Sequence, residues 1–274
     1  MEKSLIQNAI EQSPNRRSFV RKLGIAGAAM GAALTVDLKD AKAATSTEVA
    51  VLNFALNLEY LEAEFYTVAT TGKTLQQTPG FDVGPNPGMT MGGGKVSFPN
   101  SLVFTSQVAN EIAADERAHV TLLRYLLGGA AVDKPVINLN GLGFGFANES
   151  DFLKLARIFE DIGVSAYAGA AKLLTTPTVL DYAARILAAE AEHVANIRLQ
   201  VARLNVPSIK LDSVDILPPP TGQKFFSLDN NGLAATRTPG QVLYLAFGAG
   251  GVSSGGFFPD GVNGTFKTSD KSPA

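Results

Sequence analysis

Apolar residues recur at helical spacing in four long stretches of this chain. Val49, Leu52, Leu56 and Leu61 mark the first, which predicts a helix from about residue 46 to 70. Thr45-Ser-Thr-Glu48 has the capping-box pattern, in which a Thr oxygen accepts a helix N–H while the Glu three residues on reaches back. The second stretch runs from about Asn100 to Leu127 and is stopped by Gly128-Gly129, since glycine accepts the positive φ of a helix C-terminus. The third starts near Ser150, a suitable N-cap, and ends before Thr176-Pro177. The fourth takes Pro177 as its first residue, where the missing N–H costs nothing, and continues to about Leu204 before Pro207.

Between and after these helices the period is lost. Residues 71–99 turn to Gly, Pro and Thr, including Pro85-Asn-Pro87 and Gly92-Gly-Gly94, and are expected to form a surface insertion between the first two helices. From Asn205 onward Pro218-Pro-Pro220, Asn230-Asn-Gly232 and Pro259-Asp-Gly261 mark successive turns. Thr238-Pro239 opens one short helix to Phe247, too apolar to be left in water. The extension is therefore expected to pack on the bundle, with its last few residues frayed. The pattern gives an all-α chain: a four-helix bundle over 44–204 and a Gly/Pro-rich C-terminal extension over 205–274.

Residues 1–43 read differently, as an export signal. A polar leader, Asn15-Arg16-Arg17-Ser18-Phe19, an apolar run from Leu23 to Val36 and small residues around Ala41-Lys42-Ala43 follow in that order. The Arg pair followed by Ser-Phe resembles a twin-arginine signal, with cleavage expected after Ala43 or Ala44; an ordinary secretory signal is the alternative. The run is short of the roughly 20 residues a membrane span needs, so no permanent anchor is expected. The expected location is periplasmic or extracellular.

Composition narrows the chemistry. The 274 residues are 46% hydrophobic and 18% charged, enough to bury a sizeable core. There is no cysteine, which excludes disulfides, thiolate zinc sites and iron–sulfur centres. Beyond residue 43 there remain 16 basic and 21 acidic residues, with no basic stripe for nucleic acid.

The two histidines carry the candidate chemistry. Each stands three residues after a Glu, in Glu116-Arg-Ala-His119 and Glu190-Ala-Glu-His193. Positions i and i+3 of a helix are neighbours, so each motif offers a carboxylate and an imidazole to one point. One such motif alone is compatible with a solvated helix face. Two belong to an internal repeat: Ile112-Ala-Ala-Asp-Glu116-Arg-Ala-His119-Val120 lies over Ile186-Leu-Ala-Ala-Glu190-Ala-Glu-His193-Val194. Upstream, Glu59 and Tyr66 match Glu160 and Tyr167, each pair seven residues and so two helical turns apart. The order Glu, Glu-x-x-His, Glu, Glu-x-x-His is the inward-facing ligand set of di-iron and di-manganese carboxylate bundles. The expected metal ligands are Glu59, Glu116, His119, Glu160, Glu190 and His193. Four carboxylates facing one core would be neutralised by two divalent cations, and oxygen with imidazole donors suits Fe or Mn, with copper or zinc as alternatives. Glu62 shares the face of Glu59 but aligns with Gly163, which makes it a neighbour of the ligands or an alternative ligand. Tyr66 and Tyr167 are placed either to hydrogen-bond the ligand carboxylates or in the core, and Glu64 and Glu192 are expected to be solvated.

At these residues, and in Asn53-Phe-Ala-Leu-Asn-Leu-Glu-Tyr-Leu-Glu-Ala-Glu-Phe-Tyr66 and Gly255-Gly-Phe-Phe-Pro-Asp-Gly-Val-Asn-Gly264, the chain resembles the ferritin-like superfamily. It is most similar to the exported ferritin-like domain proteins that include the plant desiccation-related proteins. The resemblance covers about residues 46–265. It implies a ferritin-like four-helix bundle with a long crossover between helices 2 and 3, a dinuclear Fe or Mn site at the six residues above, and oxygen, peroxide or ferrous iron as partners. The alternative it leaves is a non-catalytic desiccation or stress protein whose metal is structural. A homo-oligomer is compatible with this plan, whereas the long insertion after helix 1 departs from compact ferritins and argues against a cage.

Overall fold

In the computed structural model, residues 44–99 and 104–274 are described. The expected export signal, residues 1–43, and the expected start of the second helix at Asn100 lie outside the described residues. Four long helices dominate: α1 (Ser46–Thr71), α2 (Thr105–Leu127), α3 (Glu149–Ala170) and α4 (Pro177–Arg203), with a short α5 (Pro239–Phe247) in the extension. α1 packs along α2 and α3 along α4, and the two pairs face each other across a common core. Among the described residues no helix is long and apolar enough to cross a membrane.

Local signals set most helix ends. At α1 the capping box is formed: Glu48 N donates to Thr45 Oγ1 at 3.2 Å and Thr45 N donates to Glu48 Oε2 at 2.8 Å. Gly72, at φ 77°, closes the helix in the left-handed region that a side chain would disfavour. α3 starts earlier than Ser150 suggests, because Asn148 is the cap and its Oδ1 accepts from Asp151 N at 3.0 Å. Asn and Ser cap comparably, so sequence preference alone does not choose between positions two residues apart. Thr238 caps α5 as expected, with Pro239 at its first turn.

Glu48 does more than cap its own helix. Its Oε1 also accepts from Thr175 N and Thr176 N at 2.7 and 2.6 Å, and its Oε2 from Thr176 Oγ1 at 2.9 Å. One carboxylate thus ties the N-termini of α1 and α4 together, where both helix dipoles favour negative charge. Burial pushes this carboxyl's pKa up, but the N–H donors of Thr176, Thr45 and Thr175 outweigh it and bring it to about 2.

The connections are not all surface loops. The insertion after α1 forms a two-residue strand β1 (Thr90–Met91), parallel to β2 (Ile137–Asn138) in the crossover between α2 and α3. Its Leu75, Val83 and Val96 are buried in the core, so the expectation of a surface insertion is corrected. The insertion also covers Glu64, which is fully buried rather than solvated. Glu64 accepts from Leu75 N at 2.9 Å and from Thr90 Oγ1 at 2.7 Å, with the buried Lys134 Nζ at 3.4 Å. A buried carboxylate needs such partners, and all of them come from segments distant in sequence.

One buried ion pair clamps the extension to α3, a second joins α4 to α3, and a third lies within the extension. Arg157 binds Asp215 at 2.9 Å, Arg198 binds Asp161 at 2.8 Å, and Arg237 binds Asp212 at 2.7 Å. Arg198 also donates to the carbonyls of Ile216, Lys224 and Phe225, which fixes the path of the tail. Asn57 and Asn263 exchange reciprocal amide hydrogen bonds at 2.9 Å, joining the far end of the tail to α1. The last residue is also held, since the carbonyl of Ala274 accepts from Ser213 Oγ at 2.5 Å. The expected fraying of the terminus is thus not observed.

Glu48→Gln should lower stability at neutral pH by about 1–2 kcal/mol, the range of a lost helix cap. A carboxyl with a depressed pKa contributes stability above its ordinary value of 4.5 and loses it as pH falls toward about 2. The difference between wild type and variant in chemical denaturation should therefore shrink on acidification; a constant difference would show that the charge on Glu48 is immaterial.

Candidate metal centre

The bundle core holds the six carboxylate and imidazole groups singled out by spacing, together with Glu62. Glu59 and Glu62 come from α1, Glu116 and His119 from α2, Glu160 from α3, and Glu190 and His193 from α4. All are buried; Glu59, Glu116, Glu160 and Glu190 are at 0% exposure. Glu192, in contrast, faces solvent.

These groups form two overlapping quartets. Glu59, Glu116, His119 and Glu190 each place one ligand atom within 4.8 Å of the others, and so do Glu116, Glu160, Glu190 and His193. Glu116 and Glu190 belong to both. Glu116 turns Oε2 toward His119 Nδ1 at 3.5 Å and Oε1 toward His193 Nδ1 at 3.1 Å. Glu59 completes the first quartet at 3.2 Å from His119 Nδ1, and Glu160 the second at 3.5 Å from His193 Nδ1. The two rings are 6.1 Å apart between centroids.

The donor set fits a cation better than it fits itself. Both oxygens of Glu116 and Glu190, Oε2 of Glu160 and Nδ1 of His193 are buried without a hydrogen-bond partner. Buried polar atoms left unpaired cost free energy, and here they converge from three helices on one place. Protons partly take a cation's role. Burial, with Glu116 close by, pushes Glu59 up to about 7, and burial with the facing carboxylates pushes Glu62 and Glu190 well above the usual range. Burial would lower both imidazoles, but Glu59 and Glu116 around His119 and Glu160 beside His193 raise them well above normal. Glu116 goes the other way: burial raises it, but the two imidazolium groups outweigh that and hold it low.

Hydrogen bonds orient Glu160 and Glu59. Tyr66 OH donates to Glu160 Oε1, and Tyr167 OH donates to Glu59 Oε1 at 2.5 Å. The pairs cross between α1 and α3 in opposite senses, as the internal repeat requires. Burial and the adjacent carboxylates hold both phenols well above their ordinary pKa, so they remain donors. His193 has a further partner that spacing did not single out: Asp115 Oδ2 lies 3.2 Å from its Nε2. Such a carboxylate fixes the ring and raises its basicity as a ligand. The available signal was the acidic residue directly before Glu116; its counterpart in the repeat is Ala189, so the second half lacks it.

Glu62 breaks the repeat on the other side. Its counterpart is Gly163, where a Cβ would lie 2.7 Å from Glu190 Oε2 and 3.3 Å from Glu62 Oε1. One half supplies a fifth carboxylate and the other supplies the space for it.

A four-helix bundle enclosing glutamates and Glu-x-x-His pairs is the architecture of carboxylate-bridged metal proteins. The model of the ferritin-like domain family matches residues 47–203, and the chain belongs to that family. It is 27% identical over 172 residues to the desiccation-related protein PCC13-62 of Craterostigma plantagineum, covering 56% of this chain and 52% of that one. The chain thus spans about half the length of that relative. It is also 24% identical over 282 residues to the ferritin-like catalase Nec2 of Nesocodon mauritianus, covering 84% of this chain and 88% of that protein.

The protons on this cluster give a pH test. Glu59, with its pKa raised from 4.5 to about 7, contributes stability that is fully present below 4.5 and is lost as pH rises through about 7. Glu62, Glu190 and both histidines act in the same direction, and Glu116 opposes them. Metal-free protein should therefore lose stability between about pH 5 and about pH 7, and a divalent cation bound to deprotonated ligands should restore it. The increase in Tm on adding Mn2+ should be larger at the higher pH; identical melting curves with and without metal at both would exclude a buried cation site.

Proposed function

We propose that the chain is an exported di-metal carboxylate protein, with iron or manganese, which handles oxygen, peroxide or ferrous iron. The observation that carries this reading is the pair of quartets sharing Glu116 and Glu190, whose buried oxygens lack other partners. Glu59 with His119 and Glu160 with His193 would complete the two ligand sets, and Glu62 would stand beside them. Oxygen and imidazole donors without thiolate suit either metal. A dinuclear centre of this kind supplies redox equivalents in pairs when loaded. The protein's own groups orient the ligands through Tyr66, Tyr167 and Asp115, and the bundle excludes bulk water. The relative named a ferritin-like catalase, aligned over most of both chains, supports peroxide as the substrate class.

The second reading is a stress protein in which the metal holds the bundle together, supported by the relative named a desiccation-related protein. The two differ in whether a coordination position stays open for a reactant. Elemental analysis of protein folded in the cytoplasm, with assays of peroxide loss and ferrous oxidation on the same sample, separates them. Two ions per chain with turnover support the first reading; two ions without turnover support the second.

The sharing of ligands makes the metal count diagnostic. Glu116→Ala and Glu190→Ala should each reduce both sites, whereas Glu59→Ala or Glu160→Ala should weaken mainly one, and Glu192→Ala should change nothing. Full occupancy in both bridging variants would end the dinuclear reading.

Export is proposed on Arg16-Arg17-Ser-Phe ahead of a weakly apolar run. Replacing Arg16 and Arg17 together by Lys should leave uncleaved precursor in the cytoplasm. Unchanged export in a strain lacking the twin-arginine translocase would overturn that route.

A further inference from the structure

An apolar cavity of about 180 Å³ lies between α1, α3 and α5, with Glu62 and Gly163 in its lining. Its walls include Leu58, Ile162 and Val242 and three aromatic rings, Phe159, Tyr244 and Phe257. The exposed Leu142 and Lys210 also line it, so it reaches the surface. A dry cavity of about 150 Å³ lined by Leu, Ile and Phe is enough to take benzene. This one therefore has room for a six-membered ring with one or two substituents.

Only one buried charged side chain faces that space. Glu62 is 5% exposed and lines the cavity, and its Oε1 lies 3.3 Å from where a Cβ on Gly163, another lining residue, would be. A hydroxyl group pairs with a carboxyl in either protonation state, by accepting from it or donating to it. A charged ligand of either sign would have to leave water for a lining that is mostly apolar. Aromatic walls favour an aromatic guest through edge and face contacts over an aliphatic chain of equal volume.

We propose that this cavity is a binding site for a small neutral phenol, with its ring against Phe159, Tyr244 and Phe257 and its hydroxyl on Glu62. The site goes beyond the dinuclear reading and does not require it: the cavity is formed by residues of α1, α3, the crossover and the extension. A phenol held there would sit on the carboxyl that abuts Glu190, one helical turn from Glu59.

The test uses the full protein as isolated, with its metal content measured in parallel, and titrates 4-methylphenol and toluene by calorimetry and ligand-observed NMR. The expected result is one 4-methylphenol per chain, bound about fivefold or more tighter than toluene, the effect of one net hydrogen bond. Glu62→Leu should abolish that preference while keeping toluene affinity. Ala246→Phe, which fills the cavity from α5, should abolish binding of both; Leu245→Trp serves the same purpose if Ala246→Phe does not fold. No binding to wild type, equal affinity for the two probes, or binding that survives the filled cavity would overturn the proposal. Protein that takes up no metal on reconstitution yet binds 4-methylphenol would refute the dinuclear reading and leave this one standing.

Discussion

Burying four glutamates at one point inside a helical bundle is the constraint on which the rest of this structure depends. Bare carboxylates in a low-dielectric core repel each other and lose their hydration, a cost that hydrophobic packing alone does not offset. The core answers with two imidazoles, two tyrosine hydroxyls and raised carboxyl pKa values, and still leaves both oxygens of Glu116 and Glu190 without partners. The outer atoms of the cluster are satisfied by tyrosines, and its inner ones converge without protein partners, which is a donor arrangement that fits a cation.

The internal repeat gives that site an approximate twofold character, and its two departures are where the halves become inequivalent. Asp115 supports His193, while Ala189 offers nothing corresponding for His119. Glu62 adds a carboxyl on one side, and Gly163 opens the space on the other. The two quartets therefore differ in how their imidazoles are supported. The cavity lies on the side of Glu62 and Gly163, whereas the half-exposed Asp115 stands against the buried His193.

The non-helical segments have structural roles that their composition conceals. The insertion and the crossover meet in a parallel strand pair and bury Glu64 with Lys134 beneath them. The extension is held by the Arg157–Asp215 pair, by Arg198, which pairs with Asp161 and donates to three of its carbonyls, and by Arg237, which pairs with Asp212 inside it and donates to Ser165 of α3. Buried ion pairs often add little net stability compared with apolar packing, but they reject alternative arrangements strongly, because any misplacement leaves a naked charge. They suit a Gly- and Pro-rich tail that has no regular structure of its own to fix its course. The same tail supplies α5 and Phe257, which close the cavity beside the core.

Helical period, capping residues and repeat spacing are local properties, and the features they govern were legible in the amino-acid order alone. These are the four helices, the capping box at Thr45 and Glu48, the entry of α5 at Thr238, and the shared faces of Glu116 with His119 and Glu190 with His193. Residues whose environment is made by distant segments were not legible in the same way. Nothing near Glu64 in the sequence shows that Leu75, Thr90 and Lys134 would close over it, and Asp115 reaches His193 only because α2 lies beside α4. The choice of Asn148 over Ser150 as a cap lay within the tolerance of local preference. Glu62 lay between: its helical face was fixed by its spacing from Glu59, but its place in the lining of a cavity depended on α3 and α5 coming together. Sequence determined which side of each helix carries the acid groups, since about 3.6 residues per turn leaves no freedom there. Tertiary packing alone decided which of those acids meet a partner, a neighbouring ligand or open space, because burial is a property of several segments at once.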